Sequence, residues 1–273
     1  MAEQQGILVF SGKIGEIVGY NRGKKKYARG KAKPYELTDE SKKSGTEFGR
    51  GSTACALVKQ AFSSLILSNF KTDLHNRLSE KLREVIRSGP IAKKGKRRVF
   101  DGDISLLKGF GFSSYTSFGR LVFFSPVVEI SAESIRISIP AFTWKDLKAP
   151  EKASRVIFGM AAGYFDFHEN TYRTTLAGNL EADKGKPFSG ASITIPIPPL
   201  NEQAVLVMMN VFFEETHGSR VFKIDRRNCQ AGIILDAVHI RKGKVLVFKQ
   251  EKVPAVEMKL EVTPDVSWVI NAE

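Results

Sequence analysis

Ser134–Ile139 reads SIRISI, a strict alternation of polar and apolar residues. Successive side chains of a strand leave on opposite faces, so the stretch predicts a strand with its isoleucines inward and Arg136 outward. Around it lie further segments rich in Val, Ile and Phe, at residues 121–130, 155–167, 192–197, 204–213, 232–240, 244–250 and 255–262. Gly, Pro, Asn or Asp punctuate them, and no helical period comes between them. That is the pattern of an antiparallel sandwich. In the IPIPP of residues 195–199 proline cannot donate to a ladder, so an edge or extended stretch is expected. The longest apolar run, AVLVMMNVFF at residues 204–213, is too short to cross a bilayer and is interrupted by Asn210. It predicts a buried strand, and no membrane span is expected.

Upstream the periodicity changes. In residues 54–70 alanines and Leu57, Val58, Phe62, Leu65 and Ile66 recur near helical spacing, with Ser52 or Thr53 as the cap and the polar TDESKKSGTEFGR of residues 38–50 leading in. Leu74, Leu78, Leu82 and Val85 or Ile86 form a second stripe that begins at Thr72 or Asp73. Gly89-Pro90 ends it, with Gly89 expected as a left-handed cap. The fold class expected is therefore mainly β with a smaller α+β N-terminal region. Residues 1–100 would form a basic hairpin plus two helices, and residues 101–273 an antiparallel β-sandwich of immunoglobulin or fibronectin-like character.

The hairpin is read from residues 10–34, FSGKIGEIVGYNRGKKKYARGKAKP. Ser11-Gly12-Lys13 has the composition of a tight turn. Ile17, Val18 and Tyr20 are expected to pair with Tyr27 and its neighbours across Asn21-Arg22-Gly23-Lys24, where glycine permits a positive φ. Lys24, Lys25, Lys26, Arg29, Lys31 and Lys33 would ring this hairpin with charge, because strand alternation cannot place them all on one side. Pro34 ends the run.

The charge distribution singles out the same region. The 273-residue chain has a net charge of +13, and its first hundred residues hold 22 Lys/Arg against 9 Asp/Glu. The remainder holds 20 of each and is neutral. A basic region of this kind attracts nucleic acid, anionic membrane or an acidic protein surface through the same long-range field. A second cluster, KKGKRR, adds Lys93, Lys94, Lys96, Arg97 and Arg98. The candidate interaction residues are thus Arg22, Lys24, Lys25, Lys26, Tyr27, Arg29, Lys31 and Lys33, together with that second cluster.

Catalytic constellations are not found in the sequence. Cys55 and Cys229 are far apart, which suggests neither a disulfide framework nor a cysteine-rich zinc site. None of His75, His168, His217 and His239 has a second histidine at ligand spacing. Asp166, His168 and Glu169 form the most metal-like group, and a turn of ordinary polar residues accounts for them. GFGF at residues 109–112 lacks the third glycine and following helix of a phosphate loop and is read as a flexible or close-packed strand connection. No enzymatic activity, cofactor or metal is expected. The start, MAEQQGILVFSGK, lacks the basic leader and long apolar core of a secretory signal, so a cytoplasmic or virion location is expected.

The series FSGKIGEIVGY, a short basic turn, YARGKAKP, a polar segment with Thr38 and then an alanine-rich helical region resembles the amino-terminal signature of a domain-of-unknown-function family common in Bacteroidota genomes. SIRISIPAFTW followed by RVIFGMAAGYF is similar, more loosely, to the β-sandwich half of those proteins. The resemblance implies a glycine-rich hairpin, a helix and a sandwich, and it brings no catalytic residues. Two functional readings follow. The first is a non-enzymatic structural or assembly protein, such as a phage virion or tail component, that self-associates or joins other assembly proteins through the basic hairpin. The alternative is nucleic-acid binding through that hairpin, with Tyr20, Tyr27 and Tyr35 interleaved among the cations.

Overall fold

The structure, a computed structural model, describes residues 2–4, 9–33, 35–67, 70 and 73–248. It divides into two units, Met1–Lys42 and Lys43–Glu273. In the first, β1 (Ala2–Glu3), β2 (Gly12–Ile14), β3 (Ile17–Arg22) and β4 (Lys25–Gly30) form an antiparallel sheet in the order β1-β4-β3-β2. The expected hairpin is its centre, with Tyr20 opposite Tyr27 and Arg22 opposite Lys25. Two-residue turns set the registers, and each needs a positive φ, which Gly23 (63°) and Gly15 (55°) supply. The turn expected at Ser11-Gly12-Lys13 is displaced: Gly12, Lys13 and Ile14 are strand, because the chain reverses at Gly15-Glu16. Phe10 lies so close over Gly19 that a Cβ there would come within 2.5 Å of its carbonyl oxygen. The Gln4 side chain holds Phe10 in place, donating to the carbonyls of Phe10 and Tyr27 and accepting from Phe10 N–H.

The helices are α1 (Asp39–Ala61), α2 (Leu74–Ser88) and the short α3 (Phe118–Leu121). The polar segment expected to lead into the first helix is itself helical. Thr38 Oγ1 accepts from Ser41 N–H, and Asp39 and Glu40 occupy the first turn, where carboxylates favour a helix start. Helix α2 follows the predicted stripe, with Leu74, Leu78, Leu82, Val85 and Ile86 buried. Gly89, however, is extended (φ −68°, ψ 168°) and not left-handed. Space selects glycine there, since a Cβ would meet Asp101 O at 2.8 Å.

The strands of the second unit are β5 (Val127–Ile130), β6 (Ser134–Ile139), β7 (Arg155–Asp166), β8 (Thr171–Asp183), β9 (Ala191–Pro196), β10 (Glu202–His217), β11 (Arg220–Lys223), β12 (Ala231–Arg241) and β13 (Lys244–Leu246). One antiparallel sheet runs β13-β12-β10-β7-β8, with β11 paired to β10, and a second runs β5-β6-β9. Ile135, Ile137 and Ile139 point inward, as the alternation predicts. Pro196 ends β9, an edge strand that needs no donor from it. The strand expected over residues 255–262 lies outside the described residues.

Strands β7 and β10 explain the architecture. Val156, Phe158, Met160, Ala162 and Tyr164 of β7, with Val205, Val207, Met209, Val211 and Phe213 of β10, share a core with Ile135, Ile137, Ile139 and Ile195 of the small sheet. The alternate residues Ala161, Phe165, Ala204, Leu206 and Met208 share a second core with Phe62, Leu78 and Leu82 of the helical segment. Both faces of these strands are covered, so their apolar runs are continuous rather than alternating. The mainly β architecture with antiparallel sheets and a smaller N-terminal α+β region is the one expected, and the helices add a layer against the large sheet. The boundary at residue 100 is corrected, because the helices are half of this core and belong with the sheets.

Asn210, which interrupts the longest apolar run, is the polar stitch between helix and sheet. Its side chain donates to Leu65 O (2.8 Å) and accepts from Gly159 N–H (3.0 Å) while 2% exposed. Gly159 and Gly163 let the end of α1 approach, since Cβ atoms there would meet Leu65 at 2.9 Å and Phe62 at 2.9 Å. Among the described residues no helix is long and apolar enough to cross a membrane.

Candidate functional site

Strand pairing sorts the N-terminal sheet's side chains onto two faces. Gly12, Ile14, Ile17, Gly19, Asn21, Lys26, Ala28 and Gly30 share the face that Phe10 covers at Gly19. Lys13, Val18, Tyr20, Arg22, Lys25, Tyr27 and Arg29 share the other, with Glu3 opposite Tyr27. Four cations and two aromatic rings therefore stand on one side with a single carboxylate.

The rings are a directly opposed cross-strand pair, with centroids 5.9 Å apart and planes 27° from parallel. The Arg29 guanidinium carbon lies 5.7 Å from the Tyr20 centroid, a cation–π geometry that extends the stack. Lys25 Nζ reaches Glu3 Oε2 at 3.2 Å, which joins the short β1 to this face. Arg22, Lys25 and Arg29 are exposed and both rings are half-buried. Of the other predicted residues, Lys24 is in the turn beside Gly23, Lys26 is on the opposite face, and Lys31 and Lys33 follow β4. Lys31 Nζ is 3.7 Å from Glu16 Oε1. The charges lie on both faces and in the turn, as strand alternation requires, with more of them on the tyrosine face. Lys13 was not singled out from the sequence, and only its register opposite Val18 identifies it.

The second cluster is not one surface. Arg97 turns inward, with 6% of its area exposed, and forks onto Glu47, Nε to Oε1 at 2.7 Å and Nη2 to Oε2 at 2.8 Å. Its Nη1 donates to Arg87 O, and Gly95 N–H donates to Glu47 Oε1. Burial alone would raise the Glu47 carboxyl, but the hydrogen bonds from Arg97 and Gly95 outweigh it and hold the group below the ordinary glutamate range. As an interaction residue Arg97 is corrected: it is a structural pillar. Lys93 pairs with Asp101 at 2.7 Å, Lys94 and Lys96 are exposed, and Arg98 lies against His168 Nδ1.

Groups that could carry chemistry are occupied structurally. Cys55 Sγ is 3.5 Å from His75 Nδ1, a pairing seen in nucleophilic dyads, but Cys55 is fully buried and burial pushes its thiol up to about 11. Asp166 Oδ1 accepts from the His168 and Glu169 N–H groups, which makes it the turn residue expected. Glu202 collects His239 Nε2 (3.1 Å), Arg241 Nε (3.5 Å) and His168 Nε2 (3.8 Å). Burial lowers the His239 imidazole against the pull of that carboxylate. Comparison with family models, curated proteins and solved structures finds no match to the chain.

Proposed function

We propose that this is a non-enzymatic binding protein whose N-terminal sheet engages single-stranded nucleic acid. The observation that carries the reading is the opposed Tyr20–Tyr27 pair on the face that also holds Lys13, Arg22, Lys25 and Arg29. Aromatic rings on a sheet surface offer bases a stacking platform, and cations around them contact phosphates. A surface that only kept the protein soluble would need the charges and not the rings.

A fluorescent single-stranded oligonucleotide titrated across salt concentrations tests it. Affinity is expected to fall with a log–log slope of about −2 to −3, since each phosphate neutralised on a single strand contributes about −0.7. Undetectable binding at the lowest salt, where phosphate contacts are strongest, would end the reading.

Assembly from copies of this chain is a second reading, and a separate observation favours it. Strand β8 is 13 residues long and lies at the edge of the large sheet, with Tyr172 39% and Leu176 58% exposed. Its outer edge pairs with no strand among the described residues, and an edge of that length is a template for strand addition. The register shift opposite Met160 and Ala161 interrupts it, so pairing is expected along residues 171–176. Light scattering over a concentration series should show mass above that of one chain, and Leu176→Lys should reduce it. A constant single-chain mass at high concentration removes this reading.

A further inference from the structure

Within the second unit, a cleft of about 360 Å³ opens between α1 and the two loops facing it. Gly49 and Arg50 line its helical wall, and Arg98, Val99, Phe167 and His168 the other. Every titratable side chain in that lining is basic, and no carboxylate is among them. We propose that this cleft binds a small organic phosphate, with Arg50 and Arg98 gripping the phosphoryl group and Phe167 and Val99 covering the rest of the molecule.

Three features support the assignment. Arg50 is held in place from behind: Nη1 donates to Arg97 O at 2.8 Å and Gly95 O at 3.4 Å. Its Nε and Nη2 have no protein partner among the described residues, so a positioned guanidinium retains donors for a ligand. Its support is the loop that Glu47 and Arg97 anchor, which gives the site a rigid base.

Arg98 meets His168 through the imidazole Nδ1. Guanidinium only donates, so the imidazole Nδ1 is the acceptor in this contact, and His168 Nε2 lies 3.8 Å from Glu202 Oε2. His168 thereby positions Arg98 on the cleft wall that both residues line.

Gly49 is the third feature. Glycine inside a helix is disfavoured relative to alanine. Gly51 has a packing reason, because a Cβ there would meet Arg83 Cγ at 2.9 Å. At Gly49, as at Gly45, a Cβ would meet nothing within 4 Å, so no atom among the described residues requires the glycine. It leaves bare helix backbone on the cleft wall. The volume exceeds what a bare phosphate ion fills and falls within the range of small-molecule sites, which favours an ester over the free ion.

The test is calorimetric titration of the full chain with inorganic phosphate and with a nucleoside 5′-monophosphate, each against chloride of equal ionic strength. Saturable one-to-one binding of the monophosphate is expected, tighter than that of inorganic phosphate. Arg98→Gln, at an exposed position, should weaken it at least tenfold, and so should Arg50→Gln. Gly49→Leu fills the cleft without changing charge and should abolish it, with the helix intact by circular dichroism. Affinity for single-stranded oligonucleotide should be unchanged in Arg98→Gln, which separates this site from the N-terminal sheet. The proposal is overturned by the absence of saturation at millimolar monophosphate, by phosphate binding as tightly as its ester, or by full affinity in Arg98→Gln and Gly49→Leu.

Discussion

Arg97→Met is expected to lower the unfolding free energy by about 3–5 kcal/mol, because it leaves Glu47 buried without its counter-charge. The side chains of the pair are 8% and 7% exposed, so little water would replace the lost partner. The same substitution strips Arg87 O, at the end of α2, of its donor. Urea unfolding of Arg97→Met beside Lys96→Met measures this. Lys96 is exposed in the same cluster and should change stability by less than about 0.5 kcal/mol. Equal effects of the two substitutions would show that Arg97 is not a pillar.

The pH dependence gives a second readout of the same pair. Glu47 titrates below its ordinary value in the folded chain, so its contribution is complete above the unfolded glutamate pKa. That contribution is lost as pH falls through the lower, folded value. In Arg97→Met the sign reverses: a buried carboxyl without a partner titrates high, and acidification should shrink the gap between variant and parent. Glu47→Leu combined with Arg97→Met should recover much of the loss, as replacement of both members of a buried pair commonly does.

The double substitution Tyr20→Ala/Tyr27→Ala should produce the largest change in binding. Each stacked base contributes about 1–3 kcal/mol, so loss of one stack is expected to weaken a short single strand by about 5–150-fold, and loss of two by more. The salt slope should stay near that of the parent, because Lys13, Arg22, Lys25 and Arg29 still meet phosphates. Tyr20→Phe/Tyr27→Phe keeps both rings and should bind nearly as well as the parent. Unaltered affinity in the alanine variant would show that the rings serve only as a cross-strand pair. A fall in affinity with a flattened slope would instead point to a damaged sheet, which the phenylalanine variant controls for.

The β-rich character, the two helical stripes and the location of the charge excess were legible in the sequence, because each depends on local periodicity or simple counting. SIRISI settles its own faces, and Leu74, Leu78 and Leu82 settle theirs, since a period of two or of three to four needs no partner to be read. Strand β8 went unrecognised for a related reason. TYRTTLAGNLEAD is exposed along most of its length, and an edge strand with little buried surface leaves no apolar alternation. The start of α1 was obscured by Gly45, Gly49 and Gly51, whose cost to the helix outweighs the cap at Thr38 when only propensity is considered.

The site required more than periodicity. That Tyr20 and Tyr27 oppose each other, and that Lys26 leaves on the other face from Lys25 and Arg29, follows from the hairpin register, whereas Lys13 and Glu3 join the tyrosine face only through β2 and β1. KKGKRR reads as a uniform basic patch, yet Arg97 is buried against Glu47, fifty residues earlier, and no local pattern announces a pairing at that separation. The cleft lined by Arg50, Arg98 and His168 likewise draws on three stretches distant in sequence. The sequence alone determined the two helical stripes, the apolar core strands and where positive charge accumulates, because hydrophobic period and composition act locally. Only the tertiary structure decided which charges face solvent, which support the core and which converge on a cleft, because burial and partner distance are set by contacts between segments remote along the chain.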